Sequence, residues 1–85
     1  MKNPNLELYL EGVYGDEAIQ FDGLDYAIVG TDHNGYLVYD HERMIQAFVV
    51  EDGMTRDEAI EWIDYNIVGI NAGQGFTILY SDEQI

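Results

Sequence analysis

The stretch Gly53-Met-Thr-Arg-Asp-Glu-Ala-Ile-Glu-Trp-Ile-Asp-Tyr-Asn-Ile-Val-Gly-Ile70 decides the fold. Thr55 is an N-cap residue, and Glu58 three positions on completes a capping box, in which each side chain satisfies a backbone N–H left open at the helix start. Asp57 and Glu58 also stand in the first turn, where the helix dipole favours negative charge. Ala59, Ile60, Trp62, Ile63, Asn66 and Ile67 recur at helical spacing and trace a broad inner face, with Asp57, Glu61 and Asp64 outside it. The spacing predicts a helix over about 56–68 with an apolar side and an acidic side.

Just upstream, Asp40 is placed to cap a helix over about 41–51, with Met44, Ile45, Phe48 and Val49 inward and Asp52-Gly53 as its stop. Before that, Tyr26-Ala-Ile-Val-Gly-Thr31 and Tyr36-Leu-Val-Tyr39 are β-rich runs around Asp32-His33-Asn34-Gly35, and Asn-Gly between such runs signals a hairpin over about 26–40. A loop of either two or four residues puts Ala27, Val29, Thr31, Tyr36 and Val38 on one face and Tyr26, Ile28, Gly30, Leu37 and Tyr39 on the other. Both faces are largely apolar and call for cover on each side. At the start of the chain, Asn3-Pro4 opens a helix over about 4–12 whose Leu6, Tyr9, Leu10 and Val13 share a face. Asp16–Phe21 reads as one further helical turn. Downstream, Gly69–Gly75 is a glycine-rich loop, Phe76–Tyr80 a last strand, and Ser81–Ile85 a short tail. The expected architecture is α+β, a three-stranded antiparallel sheet packed by three helices, in a single domain over 1–85.

Seventeen acids against three bases give a net charge of -14, which sets phosphate backbones and anionic lipid surfaces against this chain. Its natural complement is a basic surface on another protein. The same charge also keeps a small chain with 47% hydrophobic residues dissolved. The acids with a claim to a binding surface are Asp57, Glu61 and Asp64, with Glu51, Asp52, Asp22, Asp25 and Asp32 able to extend them. On a helix the first three stand roughly 5–6 Å apart along the axis, a loose match to DNA phosphates that step about 3.4 Å per base.

Catalytic equipment is sparse. With no cysteine there is no thiol nucleophile and no thiolate metal site. His33, His41 and Ser81 are the histidines and the serine; a triad would need Ser81 in the tail, and both histidines read as surface residues. Asp32-His33-Asn34-Gly35 echoes the start of a calcium loop but lacks its later ligands, and Gly69, Gly73 and Gly75 precede a strand rather than the helix a phosphate cradle needs. No enzyme, cofactor or metal is expected. Nothing approaches the length of a membrane span or a signal peptide, so a non-exported, cytoplasmic chain is expected.

Asp22-Gly-Leu-Asp-Tyr-Ala-Ile-Val-Gly30, then Leu37-Val-Tyr-Asp40, Asp52-Gly-Met-Thr55, Glu58-Ala-Ile-Glu61, Tyr65-Asn-Ile67 and Gly69 occur in one order. Together they resemble a group of small uncharacterised proteins of tailed bacteriophages, over residues about 22–80. Members of that group continue with Thr-Pro and a last strand; here Gly73-Gln-Gly-Phe-Thr-Ile78 follows, without the proline. The resemblance implies a phage or prophage source and a bacterial host cell, and it assigns no chemistry to any residue. Two expectations follow: an acidic protein that inhibits a basic host protein by imitating nucleic acid, or a structural phage component with no host target. A homodimer is expected if one sheet face is left uncovered.

Overall fold

The structure, a computed structural model, describes residues 2–69 and 75–80. Its elements in chain order are helix α1 (Leu6–Glu11), a 3-10 turn (Asp25–Ala27), strands β1 (Ile28–Thr31) and β2 (Leu37–Asp40), helices α2 (His41–Asp52) and α3 (Arg56–Ile63), a π-helical turn (Asp64–Val68) that prolongs α3, and strand β3 (Phe76–Leu79). The fold is α+β with a three-stranded sheet in the order β1-β2-β3. The sheet is mixed, which corrects the expected antiparallel arrangement: β1 pairs antiparallel with β2, and β3 lies parallel to it. The cause is the connection. A strand can enter parallel to its neighbour only after a long crossover, and α2, α3 and the π-turn supply one.

Register in the hairpin differs from expectation in two steps that cancel. Asp32 N–H donates to the Tyr36 carbonyl at 2.9 Å, so the loop has three residues, an odd number. Asp32 Oδ1 accepts from the N–H groups of Asn34 (2.8 Å) and Tyr36 (3.1 Å), and Gly35 takes the left-handed conformation at φ 79°. Three-residue hairpin loops combine such a turn with a left-handed residue. Thr31 therefore faces Leu37, and Gly30 faces Val38, each on the opposite side from that expected. A bulge at Val29 then restores the pattern, so Ile28 pairs with Tyr39.

Ile28, Leu37, Tyr39 and Phe76 lie on the inner face and join Leu24, Ala27, Met44, Ile45, Ala47, Phe48, Ala59, Ile63 and Ile67 in one core. Leu6, Tyr9, Leu10 and Val13 pack against it, as their spacing predicted. In α2, Ala47 is buried and Val49 is 37% exposed, a rotation of the expected stripe. Helix α1 is shorter than 4–12. Asn3 stands ahead of it: its Oδ1 accepts from the Asn5 N–H at 3.3 Å, while its amide N–H groups donate to the carbonyls of Asp25 (2.8 Å) and Ile28 (2.7 Å). Asp16–Phe21 does not complete a helical turn; Ile19 N–H donates to the Gly75 carbonyl at 2.8 Å. Tyr26 belongs to the 3-10 turn rather than to β1. The outer face of the sheet carries Val38 and Thr77, half-buried, and Leu79, 52% exposed.

Tyr39 is fully buried, yet its hydroxyl is satisfied. It accepts from the Phe21 N–H at 2.9 Å and donates to the Ile19 carbonyl at 3.4 Å. Burial pushes its pKa up to about 12. The unfolded chain releases this proton near pH 10, so between about 10 and 12 the folded state binds more protons than the unfolded one. Stability is accordingly expected to fall as pH rises through that window. Denaturant midpoints of wild type and Tyr39→Phe at pH 9 and pH 11 check it: the alkaline drop should shrink in the variant, and an equal drop in both removes Tyr39 as its source.

Candidate functional site

Helix α3 is fixed at its first turn. Thr55 Oγ1 accepts from the Glu58 N–H at 3.1 Å and Glu58 Oε1 from the Thr55 N–H at 2.9 Å, the capping box legible in the sequence. Arg56 donates from both terminal guanidinium nitrogens to Glu42 at 2.7 Å each, tying the start of α3 to the first turn of α2. This hydrogen bonding holds the Glu42 carboxyl below the usual carboxylate range. Asp40 caps α2 by accepting from the Arg43 N–H at 3.0 Å. Ala59, Ile63 and Ile67, four residues apart, bury one side of α3 and its continuation, which leaves the other side to solvent.

Trp62 lies on the flank of that buried stripe rather than within it. Its ring rests on Phe48, with centroids 4.9 Å apart and planes at 47°, and the residue stays 40% exposed. Tyr65 is 84% exposed. Beyond Ile63 the helix widens: the Gly69 N–H reaches back five residues to the Asp64 carbonyl, and the Asn66 amide donates to the Trp62 carbonyl at 3.1 Å. Widened turns of this kind recur at functional positions. Met54, Glu58, Glu61, Trp62, Asp64, Tyr65 and Asn66 line one open depression of about 700 Å³. Two aromatic side chains and three carboxylates are among its lining residues.

Of the acids expected to bind, Glu61 and Asp64 meet here, joined by Glu58, which the sequence assigned only to capping. Asp57 is exposed on the same helix but does not line the depression. Glu51 and Asp52 are exposed at the end of α2, and Asp22 is exposed ahead of the 3-10 turn. Asp25 is half-buried and accepts from the Gln20 amide at 3.0 Å. Asp32 is a folding residue: besides its two turn contacts, Oδ2 accepts from the Thr77 hydroxyl at 2.7 Å across the sheet. That hydroxyl, with the backbone N–H groups, holds its carboxyl below the usual range.

Trp62 and Tyr65 are the functional candidates that periodicity alone did not isolate. The sequence places Tyr26, Tyr36, Tyr39, Trp62, Tyr65 and Tyr80 in or beside the expected sheet and helix as a candidate interface, but they disperse: Tyr39 is core, Tyr26 is half-buried beneath the Arg43 guanidinium at 5.1 Å, and Tyr80 lies against His41 at 4.7 Å. His41 is half-buried rather than superficial, and its Nε2 is buried without a hydrogen-bond partner. Among the described residues no three His, Asp or Glu side chains converge as metal ligands, and no helix is long and apolar enough to cross a membrane. The depression presents the Trp62 and Tyr65 rings together with the carboxylates of Glu58, Glu61 and Asp64. Compared with protein-family models, curated proteins and solved structures, the chain finds no match.

Proposed function

We propose that this chain is a phage-encoded acidic binding protein that occupies a basic, nucleic-acid-binding surface of a host defence or nucleic-acid-processing protein. The observation that carries this is the joining of Trp62 and Tyr65 with Glu58, Glu61 and Asp64 around one depression on α3 and the π-helical turn that prolongs it. Tyrosine and tryptophan are favoured at interfaces because they present an apolar body with a polar tip, and carboxylates around them select a cationic counterpart. A net charge of -14 keeps nucleic acid and anionic lipid away and draws a basic protein in. The resemblance to tailed-phage proteins supports the source, and with it a bacterial cytoplasm as the place of action.

Affinity capture from bacterial lysate across a salt series tests it. The expected result is a basic protein retained at low salt and released at about 0.5 M, where the Debye length has shrunk to roughly 4 Å, whose binding to DNA or RNA the purified chain competes away. Recovery of nothing basic, or of a protein whose nucleic-acid binding is undisturbed, overturns the proposal. A second reading is favoured by the outer sheet face, where Val38 and Leu79 remain partly open. A self-associating phage component would use that face, and light scattering would then give a dimer or larger ring that survives high salt.

A further inference from the structure

The geometry points to arginine as the side chain that the Trp62–Tyr65 face receives; this rests on the proposed binding role and names its chemistry. Two properties of the face select it. The rings are open and adjacent to carboxylates: Glu58 precedes Trp62 by four residues and Glu61 precedes Tyr65 by four, the spacing that makes helix neighbours. Among the described residues the carboxylates also lack a cation of the chain's own. Lysine and arginine together number three: Arg56 is held by Glu42, Arg43 lies over Tyr26, and Lys2 forms no ion pair with a described residue. Glu58 has one oxygen engaged by the Thr55 N–H, whereas the side-chain carboxylates of Glu61 and Asp64 form no hydrogen bond or ion pair with a described residue.

A guanidinium fits both properties at once. Its plane stacks on an indole or phenol face while its edge N–H groups fork onto carboxylates. An ammonium is a compact point charge that can meet a carboxylate but cannot stack. The fold already contains one such stack, Arg43 Cζ lying 5.1 Å from the Tyr26 ring centroid. An extended basic segment with an arginine between small residues would lay its guanidinium on Trp62 and meet Glu61 and Asp64, which line the same depression.

The single tryptophan makes the test direct, because all indole emission comes from this face. The full chain is titrated at low salt with the peptide Gly-Arg-Gly-Arg-Gly and, separately, with its lysine counterpart. Saturable change in emission is expected with arginine, about three- to tenfold tighter than with lysine. The double variant E61Q/D64N should weaken the arginine peptide by a similar factor, while its far-ultraviolet circular dichroism stays that of wild type. Equal affinity for the two peptides overturns arginine selection yet leaves a general basic partner standing. No saturable change with either peptide overturns the inference, and the lysate capture then decides separately whether a basic partner exists. Concentration-dependent emission without peptide assigns the face to a second copy of this chain and overturns it as well.

Discussion

Replacing Phe76 by alanine is expected to remove a large share of the stability of this domain, about 3–5 kcal/mol. Phe76 is fully buried on the inner face of β3 and meets Phe21 edge-to-face at 5.0 Å and Tyr39 at 6.3 Å. Phe21 also meets Tyr39, at 5.5 Å, so the three rings close a triangle. Truncation opens a cavity where strand, N-terminal segment and β2 converge, and none of them can slide in to fill it, because each is hydrogen-bonded in place. A domain of this size has a total stability of roughly 4–13 kcal/mol. The thermal midpoint should drop by about 15 °C or more, read by circular dichroism. A drop below about 5 °C would mean that the triangle contributes little.

The second large effect is expected at the hairpin turn. Gly35 has φ 79°, a conformation that L side chains rarely adopt. A Cβ there would also stand 2.6 Å from the Tyr14 ring and 2.7 Å from the Gly15 backbone nitrogen. The backbone cannot yield easily, since the N–H groups of Tyr14 and Gly15 both donate to the Gly35 carbonyl, at 3.1 and 3.2 Å, and the Tyr14 hydroxyl donates to the His33 carbonyl. Gly35→Ala should therefore cost about 2–5 kcal/mol, the sum of left-handed strain and overpacking. Gly23 provides the control: its φ is 83° but nothing lies within 4 Å of its added Cβ. Gly23→Ala should show the strain alone, about 1–2 kcal/mol. Equal losses for the two alanines, measured by urea denaturation, would refute the contact contribution.

What could be read from the sequence was local. Thr55–Glu58, Asp40 and Gly53 mark helix ends through chemistry confined to a few neighbouring residues, and all three stand where expected. What escaped was set at a distance. The direction of β3 depends on where a long helical crossover delivers the chain, which no residue of Phe76–Leu79 encodes. The three-residue turn depends on how Asp32 divides its carboxylate between two N–H groups and Thr77, a residue on another strand. The candidate site was half legible. Glu61 and Asp64 could be placed outside the helix stripe by spacing, but whether Trp62 is inside or on its edge depends on how far Phe48 of the neighbouring helix covers it.

The N-terminal segment has a further consequence, for the order of assembly. It is fastened to parts made progressively later: Asn3 to Asp25 and Ile28, Tyr14 and Gly15 to Gly35, Phe21 to Tyr39, and Ile19 to Gly75. This segment finds its final partner only where the chain has returned as far as Gly75. Its hydrogen bonds span the chain, so they close loops whose entropy must be overcome before they return any stability. The N-terminal segment is then expected to settle late in folding, once the strands and turns that hold its partners are in place.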